Sequence, residues 1–364
     1  MVESFCYFQP VKIFFGRGQA GRLAEILSGL GLESCVLVCD PFFGDKGREL
    51  MADCPMVKAV FSHVEPNPQL SGAKAAADLA RVHGAQGIIG LGGGSSMDTA
   101  KFAAAIASGD APGEICYATA KFPAAPLKII AIPTTAGTGS EVTQVSVMNN
   151  GPEKKTINHP AFMPLAAVVD PELMVSVPPR VTMATGLDAL AHALEGYWSK
   201  RHQPITDLFA IEAVRRALAY LERAYRDGAD MEAREEMAYA ALLAGLAFGQ
   251  PKTAGSHACS YPLSMDYHLP HGEACAFTLD GFVRVNSDQR LEALARAVGL
   301  ANTGALADRI LELKRLGGMR CKLEELGEVD IEKLAADCAA HPLMQNNPVP
   351  MDAAAMREFL QKLS

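Results

Sequence analysis

The sequence predicts an α/β domain followed by an all-helical domain. In the first half, short β-branched runs alternate with alanine-rich helical stretches, a pattern typical of βαβ units with a mostly parallel sheet. After Val177-Pro178-Pro179 the β-branched runs nearly vanish and helical periodicity takes over. A chain of 364 residues is long enough for two domains. We therefore expect an α/β domain over residues 1–178 and an all-helical domain over residues 179–364.

The strands of the first half are short apolar runs, each followed by turn residues. Cys35–Cys39, for example, is closed by Asp40-Pro41. The predicted strands and helices, in chain order, are the strand Cys35–Cys39, the helix Leu70–Val82, the strand Gly87–Gly90, the helix Ser95–Ser108, and the strands Lys128–Ile132 and Ala166–Val169.

The second half carries helical periodicity almost throughout. Thr206-Asp207 supplies a helix start signal and Gly228 a stop signal. The predicted helices are Ala184–Ser199, Thr206–Arg226, Met231–Phe248, Leu291–Val298, Thr303–Leu316, Ile331–Cys338 and Asp352–Leu363.

Composition excludes several classes of protein. Hydrophobic residues make up 49% and charged residues 20%, which is ordinary globular usage, and the net charge of −8 argues against a general nucleic-acid binder. No apolar run is long enough for a membrane span, and the N-terminus carries no secretion signal. Nine cysteines without a CxxC pair indicate reduced thiols, so we expect a cytoplasmic protein.

Two loops that follow strands have the composition of phosphate-binding turns. The first, Gly92–Asp98, opens a helix, and glycines let the backbone approach an anion at a helix N-terminus. It lacks the third glycine of GxGxxG and the lysine of a Walker motif, so a plain strand-to-helix turn is the alternative. The second, Pro133–Glu141, clusters hydroxyls that include Thr134, Thr135 and Thr138. Together the two loops favour a nucleotide ligand.

Asp40 ends an early predicted strand. An acidic residue at this point of a dinucleotide-binding fold can bind the ribose 2′-hydroxyl and repel a 2′-phosphate. The alternative is a turn residue before Pro41. Asp40 therefore favours NAD(H) and leaves NADP(H) open.

One carboxylate and three histidines have the chemistry of a metal site. Asp188 and His192 are four residues apart in helical sequence and so lie on one helix face. His257 and His271 follow downstream, and such a set suits Fe(II) or Zn(II) with one position left for substrate. Each histidine alone is as readily a core residue, and that is our interpretation of others such as His341.

The motifs together resemble the iron-dependent (group III) alcohol dehydrogenases, a superfamily that includes glycerol dehydrogenases and dehydroquinate synthases. The similarity runs from Lys12 to about Gly281. It is carried by Lys12–Gly18, Gly92–Lys101, Pro133–Thr143, Asp170–Leu173, Pro178–Arg180 and Thr185–Glu195. The resemblance implies a dehydroquinate synthase-like fold, with a Rossmann-like N-terminal domain and a helical C-terminal domain.

The resemblance also implies roles for particular residues. The metal ligands would be Asp188, His192, His257 and His271, holding Fe(II), with Zn(II) as an alternative. The residues implied to contact the nicotinamide dinucleotide are Gly93, Gly94, Ser95, Thr134, Thr138 and Lys155. Asp98 and Thr135, which lie in the same two loops, are further candidates. Lys154 is adjacent to Lys155 and is the alternative lysine. A homodimer or higher oligomer is expected from the family.

The sequence departs from the family near the third histidine. Many members carry a histidine four residues after that ligand, where this chain has Tyr261. The segment Lys252-Thr253-Ala254, followed by His257 and Tyr261-Pro262, resembles the phosphonoacetaldehyde (hydroxyethylphosphonate) reductase branch. Lys252 and Thr253 would offer a cation and a hydroxyl to an anionic substrate. A surface lysine at a helix end is the alternative.

The expected function is metal-dependent, NAD(P)H-linked reduction of a small aldehyde or oxidation of a small alcohol, with phosphonoacetaldehyde as a candidate substrate. Tyr261 and His268 are the candidate proton-relay residues. Alternatives are a general short-chain alcohol or diol dehydrogenase, a lyase on the dehydroquinate synthase plan, and a non-catalytic nucleotide-binding protein. The expected partner is a small molecule, without nucleic acid or membrane.

Overall fold

The structure is a computed structural model that describes residues 4–109, 111–123, 125–151 and 153–363. It divides into two compact units. The sheet unit comprises Gln9–Thr135 and Ser140–Met174, and the helical unit comprises the described residues up to Phe8, Ala136–Gly139 and the chain from Val175 onward. The predicted fold class, an α/β domain followed by a helical one, is confirmed.

The sheet unit contains a parallel sheet in the order β1-β8-β5-β4-β2-β3 and a separate antiparallel pair, β6-β7. The strands are β1 Lys12–Phe15, β2 Cys35–Cys39, β3 Val57–Phe61, β4 Gly87–Gly92, β5 Lys128–Pro133, β6 Val145–Asn150, β7 Glu153–Asn158 and β8 Ala166–Val169. The helices are α1 Leu23–Gly29, α2 Gly44–Asp53, α3 Leu70–Val82, α4 Gly94–Ala107 and α5 Gly113–Thr119.

The two faces of this sheet are buried under separate apolar clusters. Within β2, Val36 and Val38 belong to the cluster that packs against the alanine-rich helices α3 and α4. Leu37 and its neighbouring cysteines belong to the cluster on the α1 side. Successive side chains of a strand point to opposite faces, so a strand covered on both sides is apolar throughout. The continuous apolar runs that predicted the strands follow from this burial.

The sheet order contains one topological switch. After β2 the chain adds β3 at one edge, and it then returns to place β4 on the other side of β2. Ligands of open parallel sheets bind at such switch points, beyond the carboxyl ends of the strands. Asp40 follows β2 and the glycine-rich turn follows β4, so both lie at this point.

The helical unit contains the remaining helices. They are α6 Pro179–Trp198, α7 Pro204–Arg226, α8 Met231–Phe248, α9 Gly255–Met265, α10 His271–Phe277, α11 Leu279–Val285, α12 Gln289–Ala297, α13 Thr303–Leu316, α14 Ile331–Ala340 and α15 Ala353–Gln361. α6 packs against α7 and α8, and α10 packs against α6 and α9. None of the described helices is both long and apolar enough to cross a membrane.

Several predicted boundaries shift. α6 begins at Pro179, earlier than the predicted Ala184, because proline is favoured in the first turn of a helix, where its missing N–H costs no hydrogen bond. β3 and the hairpin β6-β7 were not predicted, nor were the helices α9 and α10 that carry two of the candidate ligands. All nine cysteines are free thiols.

Candidate active site

One face of α6 carries three residues with ionisable side chains. Asp188, His192 and Glu195 recur at helical spacing, and all three are buried. Burial of charged groups is unfavourable unless they are paired or bind a metal. This face therefore forms the base of a polar cluster inside the helical unit.

Three histidines converge on Asp188. Its Oδ1 atom lies 3.7 Å from Nδ1 of His192, 3.6 Å from Nε2 of His257 and 3.8 Å from Nε2 of His271. The Nε2 atoms of His192 and His257 are 3.0 Å apart. The structure thus brings together all four residues that the sequence predicted as ligands.

Glu195 orients His257. Its Oε2 accepts a hydrogen bond from Nδ1 of His257. Its Oε1 accepts from the backbone N–H groups of Ser256, at 2.5 Å, and His257, at 3.3 Å, in the first turn of α9. With the ring proton on Nδ1, the Nε2 atom of His257 presents its lone pair to the cluster.

A glycine and an ion-pair network hold α10 against α6. A Cβ added at Gly272 would come within 2.3 Å of the carbonyl oxygen of Ala184, so only glycine permits this approach. The buried Glu273 accepts from Nη2 of Arg180 at 2.9 Å and from Nε of Arg320 at 2.8 Å. Both contacts fix the first turn of α10, and with it the position of His271.

The donor set fits a divalent metal ion. Asp188 Oδ1 and His192 Nδ1 are buried and lack a hydrogen-bond partner, although buried polar atoms are normally satisfied. Ligand atoms about 2.1 Å from a tetrahedral ion are about 3.4 Å apart. The O···N distances of 3.6 to 3.8 Å around Asp188 are close to that value. A cation would satisfy both orphaned atoms.

The electrostatics of the cluster favour the metal-binding protonation states of two ligands, Asp188 and His192. Burial disfavours the charged form of Asp188, but His192, His271 and His257 together outweigh burial and hold its pKa below the usual range. Burial lowers the pKa of His192 to about 3, so its imidazole is neutral. Aspartate and histidine bind a metal ion in their deprotonated forms, and Asp188 and His192 are deprotonated at neutral pH. The pKa of His271 is instead raised by Cys275. Burial acts to lower the pKa of His257, but Cys275 and Glu195 outweigh burial and raise it.

A fifth residue, Cys275, lies in the same cluster. Ligand atoms of Asp188, His257, His271 and Cys275 all lie within 4.8 Å of one another. Cys275 is fully buried. Its sulfur, however, faces metal-binding groups.

The candidate proton-relay residues have different surroundings. Tyr261 lies one turn after His257 on α9, and its ring contacts that of His341 at a centroid distance of 4.2 Å. His341, interpreted from the sequence as a structural residue, caps the turn Pro342–Asn346 through Nδ1, which accepts from Leu343 N–H. His268 is exposed in the loop between α9 and α10, and its relay role stays a prediction.

The segment before α9 carries the predicted substrate residues. Lys252 has a left-handed backbone (φ 69°), and its ammonium donates to the carbonyl oxygen of Gly249 at 3.0 Å. Burial lowers the pKa of Lys252, and the positive charge of Arg201 lowers it further. Thr253 is buried, and its carbonyl oxygen accepts from Nδ2 of Asn346 at 2.9 Å.

The glycine-rich loop and the start of the second predicted loop, Thr134-Thr135, lie together in the sheet unit. Thr134 N–H donates to the carbonyl oxygen of Gly92 at 3.1 Å. A Cβ added at Gly93 would lie 3.4 Å from Oγ1 of Thr135, and one at Gly92 would lie 3.3 Å from Oδ2 of Asp40. Thr134 Oγ1 is buried without a hydrogen-bond partner. Gly94 and Ser95 begin α4, whose first-turn amides are typical anion-binding groups.

Other predicted cofactor residues make structural contacts. Asp98 accepts from the Oγ of Ser140 at 3.1 Å and from the backbone N–H of Val147 at 3.0 Å. The ammonium of Lys155 donates to the carbonyl oxygens of Tyr117 and Ala118 at the end of α5. Thr138 belongs to the helical unit. Cofactor contacts of these three residues stay predictions.

Neither the contact of Glu195 with His257 nor that of His341 with Tyr261 was predicted from the sequence. The spacing of Asp188, His192 and Glu195 along one helix face was the signal for Glu195. No sequence signal links His341 to Tyr261, because they lie on segments far apart in the chain that meet only through tertiary packing.

Family models match almost the whole chain. Residues 10–171 match the model for iron-containing alcohol dehydrogenases, and residues 182–364 match the C-terminal model of the Fe-containing alcohol dehydrogenase family. The chain belongs to the iron-containing alcohol dehydrogenase family. The predicted resemblance is confirmed, and the lyase and non-catalytic alternatives are set aside.

Three similar proteins illustrate the range of the family. Long-chain-alcohol dehydrogenase 1 of Geobacillus thermodenitrificans is 35% identical, over 97% of this chain and 95% of its own length. Sulfoacetaldehyde reductase of Bilophila wadsworthia is 32% identical, over 75% of this chain and 73% of its own. The solved structure of sulfoacetaldehyde reductase from Bifidobacterium kashiwanohense with NAD+ is 41% identical, with a TM-score of 0.96 and 99% of both chains covered.

The chain is therefore an oxidoreductase that acts on small alcohols or aldehydes and uses Fe(II) and NAD(H).

Proposed function

We propose that the chain reduces a two-carbon aldehyde that carries an anionic sulfonate or phosphonate group, with NADH as the reductant. Sulfoacetaldehyde is the preferred substrate in this proposal, because two of the similar proteins are named for its reduction. Phosphonoacetaldehyde, the candidate from the sequence, has the same anionic tetrahedral tail and is its direct competitor.

The observation that carries the proposal is a pair of cations, Lys252 just before α9 and Arg201 between α6 and α7. Lys252 is partly buried, and Arg201 is close enough to lower its pKa. Within the described part of the chain, neither side chain forms an ion pair with a carboxylate. Two uncompensated cations are unfavourable together, and an anionic substrate tail would relieve the repulsion.

A series of contacts connects Lys252 to Tyr261. Thr253 follows Lys252 directly, and Asn346 ties its carbonyl to the turn that begins after His341. His341 in turn packs on Tyr261, one turn beyond His257. In the proposal, Lys252 and Thr253 bind the anionic tail, and Tyr261 faces the reacting carbonyl.

The roles of the chain's residues follow from this arrangement. Asp188, His192, His257 and His271 would hold the iron, and Glu195 would keep Nε2 of His257 directed at it. Iron supplies Lewis-acid polarisation of the carbonyl, and NADH supplies the hydride. Gly93, Gly94 and Ser95 would bind the pyrophosphate at the N-terminus of α4, with Asp40 at the ribose.

Proton transfer is assigned to Tyr261. Reduction of an aldehyde leaves an alkoxide oxygen that must gain a proton. The Tyr261 hydroxyl would donate it, and His341 would position the tyrosine through the ring contact at 4.2 Å. Because Nδ1 of His341 accepts the N–H of Leu343, the neutral ring carries its proton on Nε2.

The test is NADH oxidation by anaerobically Fe(II)-loaded protein. Sulfoacetaldehyde, phosphonoacetaldehyde and propanal, an uncharged aldehyde of similar size, are compared by kcat/KM. We expect the anionic aldehydes to exceed propanal by more than about 100-fold, roughly 2.7 kcal/mol of transition-state binding. Comparable values for propanal and both anionic substrates would contradict the proposal and indicate a general short-chain alcohol dehydrogenase.

A pair of lysine variants locates the anion site. Lys252→Gln removes one charged hydrogen bond, worth about 1.5–3 kcal/mol, so kcat/KM for sulfoacetaldehyde should fall about 10- to 150-fold and that for propanal should not change. Lys200→Gln is the control, because Lys200 is exposed and its ammonium donates to the carbonyl oxygen of Gln345 at 3.3 Å. Equal effects of both variants would remove Lys252 from the substrate site.

A further inference from the structure

Cys275 belongs to the polar cluster around Asp188 and has no role in the proposed function. It lies one turn after His271 on α10 and is fully buried. Its Sγ is 3.7 Å from Nε2 and 3.9 Å from Nδ1 of His271. The sulfur also lies within 4.8 Å of the ligand atoms of Asp188 and His257. The side chain therefore faces the metal-binding groups and not the apolar core.

We propose that Cys275 is a direct sulfur ligand of the metal ion of the proposed function, in addition to Asp188, His192, His257 and His271. The inference rests on the metal centre of the proposed function, and it adds a donor that neither the sequence nor the family resemblance assigned. Binding requires no redox step: the thiol releases its proton to solvent, and the thiolate electron pair forms the metal–sulfur bond.

The distances fit a shared ion. A nitrogen about 2.1 Å and a sulfur about 2.3 Å from one tetrahedral ion lie about 3.6 Å apart. The observed distance between Nε2 of His271 and Sγ of Cys275 is 3.7 Å. The distances from Asp188 Oδ1 to His257 Nε2, 3.6 Å, and to His271 Nε2, 3.8 Å, fit the same arrangement. The distances from the sulfur to the ligand atoms of Asp188 and His257, which lie within 4.8 Å, would shorten as the side chains adjust to the ion.

A second observation points independently to an ion at this place. Asp188 Oδ1 is buried, faces the same space as the sulfur and has no hydrogen-bond partner. His192 Nε2 lies closest to His257, at 3.0 Å. The cluster thus offers five donors, more than a tetrahedral ion uses. A thiolate among them adds a soft ligand and a second negative charge, which favours Zn(II) and Co(II) relative to hard cations such as Mg²⁺.

The test uses cobalt as a spectroscopic probe. The full-length protein is stripped with a chelator, loaded anaerobically with one equivalent of Co(II), and assayed for bound cobalt and for near-ultraviolet absorption. A thiolate bound to Co(II) gives a charge-transfer band that imidazole and carboxylate ligands do not give. We expect the wild-type protein to bind about one cobalt per chain and to show this band.

Cysteine variants identify which sulfur atom binds the cobalt ion. Cys275→Ser should bind cobalt without the band, and Cys275→Ala provides a second variant should the serine form fold poorly. Cys259→Ser is the matched control, because Cys259 is equally buried and follows His257 closely, but its sulfur lies 4.0 Å from Sδ of Met356. The control should retain the band.

The outcomes separate this inference from the proposed function. Bound cobalt without a band in the wild-type protein, or a band that persists in Cys275→Ser, overturns the sulfur ligand and leaves the metal centre intact. A wild-type protein that binds neither Co(II) nor Fe(II) overturns both. Loss of the anionic-substrate preference with the band still present would contradict only the proposed substrate.

Discussion

The substitution Glu195→Gln tests how the protein orients its third metal ligand. The carboxylate accepts three hydrogen bonds, from Nδ1 of His257 and from the backbone N–H groups of Ser256 and His257. A glutamine has one oxygen and one NH2 group, so it cannot accept at both positions. If the glutamine oxygen keeps the two backbone hydrogen bonds, its NH2 group faces the N–H group at Nδ1 of His257, and two hydrogen-bond donors then oppose each other. His257 would then move its proton to Nε2, the atom that faces the cluster.

The magnitude follows from these contacts. Loss of a hydrogen-bonding partner behind a metal-bound histidine typically lowers metal affinity 10- to 100-fold, about 1.4–2.7 kcal/mol. The opposite amide orientation keeps the histidine contact and leaves two backbone N–H groups without an acceptor, at about 1–3 kcal/mol each. In either orientation we expect weaker Fe(II) binding, and in the second also a lower Tm of the metal-free protein.

The assay is competition for Fe(II) against a chelator under anaerobic conditions, together with thermal unfolding. Glu141→Gln is the matched control, because Glu141 is also a buried glutamate but lies in the sheet unit. Its metal affinity should equal that of the wild type. An affinity of Glu195→Gln within about threefold of wild type would refute the assigned role of Glu195.

Three further predictions follow from individual contacts. Tyr261→Phe should lower kcat about 100-fold or more with unchanged metal content, because it removes the proton donor; unchanged turnover would exclude it from the relay. Burial raises the pKa of Glu141 to about 6, so the folded state favours the neutral carboxyl group more than the unfolded state does. The free energy of unfolding should therefore fall by about 2 kcal/mol as pH rises from about 4.5 through 6. Urea unfolding of Glu141→Gln should lack this loss, and an identical pH profile would contradict the assignment. Gly272→Ala should lower the free energy of unfolding by about 1–3 kcal/mol and weaken metal binding, since its methyl group meets the carbonyl of Ala184; unchanged values in both assays would contradict this packing argument.

Elements with a clear hydrophobic period could be predicted closely from the sequence. The helices Leu70–Val82 and Thr303–Leu316 have the predicted bounds. Met231–Phe248 also has its predicted bounds, although it is apolar and buried on nearly all sides. The apolar faces of Leu70–Val82 and Thr303–Leu316 pack against neighbouring elements, so the side chains that produce the hydrophobic period in the sequence are those buried in the structure. The fold class followed from the same signals.

Other elements lacked a local signal. The hairpin Val145–Asn150 and Glu153–Asn158 is rich in asparagine and lysine, so it does not alternate cleanly between apolar and polar residues. α9 contains Pro262 within its span, a residue that normally ends a helix. Its stability comes from tertiary packing, which local propensity does not report.

The candidate site was predictable where its residues share a helix. Asp188 and His192 could be paired by spacing, and His257 and His271 were candidates downstream whose role as ligands the family resemblance implied. The approach of Cys275 to the cluster depends on how closely α10 packs on α6 at Gly272. The contact of His341 with Tyr261 depends on the fold of the C-terminal segment. Neither contact has a signature in the sequence.

The most direct test of the central claim is iron binding by the wild-type protein and by His257→Ala and His271→Ala, each prepared anaerobically. Metal content is measured beside NADH-dependent reduction of sulfoacetaldehyde. The account predicts about one iron per wild-type chain, with activity that rises in proportion to iron content, and loss of most iron and activity in both variants. Stoichiometric iron in both variants, or full activity of the metal-free wild-type protein, would contradict it.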